Sequence, residues 1–160
     1  FTTFPDAFLD IEIKETGEPA KAAARELARL VEAFDRADRT IVVAFDQAIV
    51  DYYLTLQPEV FSSPGTDGVT QFFIDRKAQP NHQILQVPPT YTLDGTEVTV
   101  VTPEFVADAH EAGLAVWVWM NGRSQENAAF YRELIEMGVD GILGAAPSVG
   151  APAFQLTRWS

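Results

Sequence analysis

Apolar residues recur along this chain in two alternating modes, as short unbroken runs and as longer stretches in which they return every third or fourth residue. The short runs predict strands and the spaced stretches predict helix faces. A first strand reads over Ala7 to Lys14, and the break from Glu15 to Pro19 leads into a helix whose apolar face is Ala23, Leu27, Leu30, Val31 and Phe34. Thr40 to Phe45 predicts a strand buried on both faces, with Asp46 placed to cap a helix carrying Ile49, Val50, Tyr53 and Leu54. Val60 to Ser63, the Pro64-Gly65 turn and a helix through Val69, Phe72 and Phe73 repeat the pattern. Ile84 to Val87 is a further strand, stopped by Pro88-Pro89; the polar insertion around Asp94-Gly95, before Val98 to Val101, has the composition of a small hairpin.

Thr102 as N-cap, Pro103 at the first helical position and Gly113 just past the end bracket a helix through Phe105, Val106 and Ala109. Leu114 to Met120 then reads as a buried strand, with Trp117, Trp119 and Asn121 on one face and Val116, Val118 and Met120 on the other. Ser124 is placed to cap a helix through Phe130, Tyr131, Leu134 and Ile135, which Gly138 ends before a strand over Val139 to Leu143. Residues 148–160 read as a C-terminal tail without a clear period.

Strand and helix alternate throughout, which predicts an α/β protein with parallel strands and outer helices. A complete TIM (β/α)8 barrel takes about 250 residues, roughly 31 per unit, so this length corresponds to about five βα units of a barrel or to a whole five-stranded doubly wound domain. No strand is followed by a glycine-rich phosphate fingerprint, which weakens a nucleotide-binding reading.

The chain has 160 residues, 47% hydrophobic and 21% charged, in the range of one globular domain. Its formal net charge of -12 and the lack of a basic stripe argue against nucleic acid or an anionic membrane surface as partner. A phosphate-bearing ligand would need a cation as intermediary. The absence of cysteine removes disulfides, thiolate metal sites and a cysteine nucleophile. No apolar run reaches the ~18 residues of a transmembrane segment. Phe1 at the start, in place of an initiator methionine, leads to the expectation of a processed, truncated or excised piece.

Candidate chemistry concentrates in Asp10-Ile11-Glu12-Ile13-Lys14. Alternation places Ile11 and Ile13 on one face and Asp10, Glu12 and Lys14 on the other. Buried charges must be paired or hold a metal or charged ligand, whereas an edge strand can present such a face to water. The pattern alone leaves both readings open.

Four segments occur in the same order in glycerophosphodiester phosphodiesterases: Ile11-Glu12-Ile13-Lys14, the turn Ala44-Phe45-Asp46, the step Gln86-Val87-Pro88, and the run from Thr102-Pro103 through Ala109-His110-Glu111-Ala112-Gly113 to Gly138-Val139-Asp140-Gly141-Ile142. The chain resembles the C-terminal portion of that barrel, from about Phe4 to Pro147. The resemblance implies a single partial TIM-barrel domain over residues 1–160, with the N-terminal half expected upstream. It implies that Glu12 is a carboxylate ligand to a divalent cation, Mg2+ or Ca2+, and that Lys14 contacts the substrate phosphate. A hard cation takes carboxylate oxygens, and an ammonium is a point charge suited to a phosphodiester oxygen. The resemblance implies that Trp119, Phe45, Gln86 and Asn121 contact the substrate, although Asn121 stands one position closer to its tryptophan than in the family's Trp-Thr-x-Asn pattern.

The family's His-Arg-Gly strand, Glu-x-Asp pair and His-Asp step have no counterpart here. The two histidines, His82 and His110, lie outside matching motifs and read as structural. Gly144 and Ala145 stand where a Thr-Asp pair is frequent, and Ala44 replaces a frequent serine. The implied function is thus a fragment of an enzyme that hydrolyses a small-molecule glycerophosphodiester to glycerol 3-phosphate and an alcohol, inactive when isolated. A self-sufficient five-stranded binding or regulatory domain, and a degenerate barrel kept for interaction, are the alternatives.

Overall fold

The computed structural model describes residues 1–93 and 95–145. The expected tail at 148–160 and Asp94 lie outside them. The chain forms two compact units, Phe1–Ile84 and Leu85–Ser160.

In the first unit, β1 (Leu9–Glu12), β2 (Thr40–Val43) and β3 (Phe61–Ser62) make a parallel sheet in the order β1-β2-β3. The helices α1 (Gly17–Ala33), α2 (Gln47–Leu56) and α3 (Thr66–Asp75) follow the strands in turn. Glu12 lies opposite Val43 and Ile11 opposite Val42, and the Ile13 N–H continues the ladder to the Val43 carbonyl at 2.9 Å. The expected first strand is therefore longer than the observed one, because Ala7 and Phe8 precede the pairing with β2 and Lys14 lies past it. Ile13, Val42 and Ala44 pack with α1 and α2 in one apolar cluster, and register assigns Leu9, Ile11 and Ser62 to that same face. Asp10, Glu12, Ile41 and Val43 belong to the opposite face.

The apolar face of α1 differs from the expected one. Ala20, Ala24, Ala28 and Val31 are buried, whereas Ala23 and Phe34 are exposed. The alanines recur every fourth residue, a spacing that lets the helix backbone approach its neighbours closely. Asp46 caps α2 as expected, its carboxylate accepting from Ala48 N–H at 2.9 Å.

Arg36 is 4% exposed, and among the described residues its partners are backbone carbonyls and not carboxylates. Its guanidinium donates to the backbone carbonyls of Phe4, Pro5 and Ala7 and lies 5.4 Å from the centre of the Phe1 ring. This clamp fastens the lead-in to β1 against the short 3-10 turn that precedes β2. A cleft of about 720 Å3 beside it, lined by Phe1, Phe34, Arg39, Glu59 and Phe61, lies at the N-terminal ends of the strands.

The second unit contains β4 (Ile84–Val87), β7 (Ala115–Trp119) and β8 (Gly141–Leu143), ordered β4-β7-β8, with β7 and β8 parallel. Between β4 and β7 come an antiparallel hairpin of β5 (Thr90–Leu93) and β6 (Thr96–Thr99), then α4 (Pro103–Glu111). The hairpin is the one expected around Asp94-Gly95. Six strands enter the two three-stranded sheets, one more than the length arithmetic of about five units, because the units are shorter than the per-unit length of a complete barrel. Among the described residues the strands form separate sheets and no closed barrel.

Thr102 caps α4 by accepting from Phe105 N–H at 3.1 Å, Pro103 opens it, and Gly113 at φ +77° follows its end. The expected cap at Ser124 is corrected: Ser124 belongs to a 3-10 turn, and Asn127 caps α5 (Ala128–Met137) by accepting from the N–H groups of Ala129 and Phe130. Gly138, at φ +92°, ends α5 in the left-handed region. No helix among the described residues is long and apolar enough to cross a membrane.

Replacing Asn127 by Ala is expected to lower the unfolding free energy by about 1 kcal/mol. Ser124→Ala should stay within about 0.5 kcal/mol of the parent. Urea titrations followed by circular dichroism distinguish the two; equal losses would contradict the Asn127 cap.

Candidate functional site

Parallel pairing brings the C-terminal ends of β1, β2 and β3 to one edge of the first unit. Glu12 closes β1 there, Ala44-Phe45 follows β2, and Ser63 follows β3. Glu12 is half-buried, and its Oε2 accepts from Lys14 Nζ at 2.5 Å. Its Oε1 is buried and has no partner among the described residues. An orphaned carboxylate oxygen is costly, so this one has an unmet requirement for a cation or donor. Lys14 has a side chain 75% exposed, which leaves its remaining protons available to a ligand from solvent.

One oxygen of this kind fits one ligand position of a hard cation. Among the described residues no three His, Cys, Asp or Glu side chains cluster to hold a metal. The described residues therefore supply a single carboxylate and not a closed metal site. Asp10, on the same face, is exposed. Phe45 is 61% exposed and its carbonyl accepts from Thr66 N–H at 2.9 Å, tying the turn after β2 to the start of α3.

In the second unit, Gln86 on β4 and Trp119 at the end of β7 are half-buried on adjacent strands. Val116 and Val118, on the opposite face of β7, are fully buried. Trp117 abuts Gly141 on β8 so closely that a Cβ there would lie 2.7 Å from the indole. Asn121 is exposed and donates from Nδ2 to the Thr90 carbonyl at 2.8 Å, so its amide fastens the hairpin to the end of β7.

The segment Gly138-Val139-Asp140-Gly141-Ile142 acquires a structural account. Gly138 supplies the left-handed cap, and Gly141 leaves room for Trp117. The Asp140 carboxylate accepts from Val116 N–H at 2.8 Å and contacts His110 Nε2 at 2.8 Å. His110 thus has the structural setting expected for it.

Glu126 and Tyr131 are polar groups that the sequence reading missed. The Tyr131 hydroxyl donates to Glu126 Oε2, while Glu126 Oε1 accepts from Ala145 N–H at 3.0 Å. Any Cβ at position 144 would collide with that hydroxyl, which accounts for Gly144. Burial, then the bond to Glu126, pushes the Tyr131 phenol up to about 12. The absence of a side chain at Gly144 was the available signal, since it leaves space for a group from elsewhere.

No protein-family model matches this chain. No curated protein matches it either. Solved structures do. A glycerophosphodiester phosphodiesterase from Parabacteroides distasonis aligns with a TM-score of 0.64 and 22% identity, covering 87% of this chain and 53% of its own. A glycerophosphoryl diester phosphodiesterase from the same organism gives 0.63 and 19%, with 96% and 52% covered. The glycerophosphodiester phosphodiesterase of Agrobacterium tumefaciens gives 0.59 and 21%, with 90% and 54% covered. At these identities the likeness establishes the fold: an α/β protein with parallel sheets that matches part of the architecture of those enzymes. The chain spans about half the length of the solved structures it matches.

Asn121→Ala should release the hairpin without unfolding the unit, so amide exchange over residues 90–99 is expected to quicken by roughly fivefold, in line with the loss of a hydrogen bond worth ~1 kcal/mol. Unchanged exchange in that segment would show that the Asn121 bond does not hold it.

Proposed function

We propose that this chain is the C-terminal part of a metal-dependent phosphodiesterase barrel, one partial domain over residues 1–160, and that the intact protein hydrolyses a glycerophosphodiester to glycerol 3-phosphate and an alcohol. The observation that carries this reading is the half-satisfied Glu12 carboxylate beside an exposed Lys14, at the C-terminal edge of a parallel sheet. In TIM-barrel enzymes that edge holds the chemistry. The matched phosphodiesterases, about twice as long, supply the reaction class by analogy.

Lys14 would neutralise a phosphodiester oxygen as a point charge on the exposed side of Glu12. Glu12 would hold the cation through Oε1, and the cation, Mg2+ or Ca2+, would polarise the phosphoryl oxygens when bound. By the resemblance to phosphodiesterases, Phe45 of the first unit and Gln86, Trp119 and Asn121 of the second are each assigned to substrate contact. The proton-transferring groups of the reaction would come from the part of the matched architecture that these residues do not span.

A barrel that has lost catalysis and serves interaction is the second reading. Its support is the apolar or filled character of two mouth positions: Ala44 carries no hydroxyl, and the space beside Gly144 is taken by Tyr131.

Purified residues 1–160 are expected to show no phosphodiester hydrolysis above background with Mg2+ or Ca2+, whereas the intact protein turns over. Within the intact protein, Lys14→Ala should lower kcat/KM by about 100-fold or more. Its unfolding free energy should move by no more than about 0.5 kcal/mol, because the ion pair with Glu12 is solvent-exposed at its lysine end. Turnover by the isolated chain, or full activity of the Lys14 variant, would sink this reading; an inactive intact protein would favour the second.

A further inference from the structure

Gln47, the first residue of α2, joins three segments through one side-chain amide. Its Oε1 accepts from Gly65 N–H at 2.7 Å. A backbone N–H can only donate, so this bond fixes which end of the amide is oxygen. The Nε2 end then points one proton at Asp51 Oδ1, 2.8 Å away, and the other at His82 Nε2, 3.4 Å away. A donor facing His82 Nε2 requires that nitrogen to be bare. The ring proton therefore sits on Nδ1, where it is donated to Ser62 Oγ at 2.9 Å, and the Ser62 hydroxyl reaches the Asn81 carbonyl at 3.5 Å. The donors run in one direction, from Gln47 through His82 and Ser62 to Asn81, and the sequence of bonds is complete only for neutral His82.

The same network holds the site-bearing turns. Gly65 is buried, and a Cβ there would lie 2.6 Å from the Gln47 backbone nitrogen. The neighbouring Thr66 N–H bonds to the Phe45 carbonyl. Gln47 and His82 thus bind the turn after β2, with Phe45, to the turn after β3, with Ser63, and both to the segment leading into β4.

We propose that Gln47 and His82 are positioning residues that hold the turns after β2 and β3 in register, and that protonation of His82 releases them. The meaning of that release for catalysis rests on the function proposed above; the release itself does not. Protonated His82 would turn an N–H toward the amide N–H of Gln47, donor against donor. Asp51 on α2 is the charged group facing the ring, with Gln47 between them, while β3 and the 79–83 segment present the Ser62 hydroxyl and the Asn81 carbonyl. Burial pushes the His82 imidazole below its ordinary value, with Asp51 acting in the opposite direction. A histidine shifted down in the folded state contributes stability fully above its unfolded pKa, about 6.5, and loses it as pH falls through the folded value.

Nitrogen-15 NMR of the full chain is expected to show His82 as the Nδ1–H tautomer at pH 7.5. Exchange protection of the Gly65 and Thr66 amides should fall by about tenfold or more between pH 7.5 and pH 5, the range in which histidine charges. Gln47→Glu supplies a carboxylate that accepts from both Gly65 N–H and a protonated His82, so the His82 pKa should rise by about a unit or more and protection should persist at pH 5. His82→Gln removes the titration and should leave the Gly65 protection independent of pH over the same range. A His82 Nε2–H tautomer, an unmoved pKa in Gln47→Glu, or an undiminished pH dependence in His82→Gln would each overturn the proposal. An intact protein without phosphodiesterase activity would bear on the proposed function and leave these NMR outcomes to decide the positioning role.

Discussion

The register between β1 and β2 is the constraint on which the charged end of this protein depends. Glu12 opposite Val43, with Ile13 bonded beyond it, puts Asp10 and Glu12 on the face away from α1 and α2. A slip of one residue would drive both carboxylates into the alanine and valine cluster that those helices cover. That cluster tolerates no charge without a partner, so its apolar packing enforces the register and, through it, the placement of Glu12. The half-satisfied carboxylate is a consequence of a well-specified neighbour face, not of loose packing around it.

Elements whose ends are marked by local chemistry were legible in the sequence. Asp46, Thr102 and Gly138 act through bonds or backbone conformations confined to a few residues, and each occupies the expected place. Ser124 failed because a second suitable residue, Asn127, lies three positions on and competes for the same helix start. The buried face of α1 was hidden for a different reason. Alanine carries too little apolar area to stand out beside Leu27, Leu30 and Phe34, yet its small size is what suits it to a close helix contact.

The candidate site divides in the same way. Alternation along β1 was enough to place Glu12 and Lys14 on one face, whereas the hydrogen-bond roles of Asn121, Glu126 and Gln47 join residues far apart in sequence or depend on the direction of a side-chain amide. Such pairings leave no periodic trace. The segment from Gly138 to Ile142 shows the converse. A run that carries a family resemblance proves to be built from a helix cap, a space for Trp117 and a carboxylate that binds a strand end, so its likeness to phosphodiesterases is a likeness of fold before it is one of chemistry.

The Arg36 clamp has a consequence for how freely this sequence can drift. Its three acceptors are main-chain carbonyls, which every amino acid possesses, so the grip reads the path of the lead-in and not its composition. The chemical specificity of these three bonds lies in one planar fork that lysine cannot reproduce. The course of the lead-in before β1 is therefore held at Phe4, Pro5 and Ala7 whatever side chains those three positions carry, an asymmetry in which one side chain frees several others from the task.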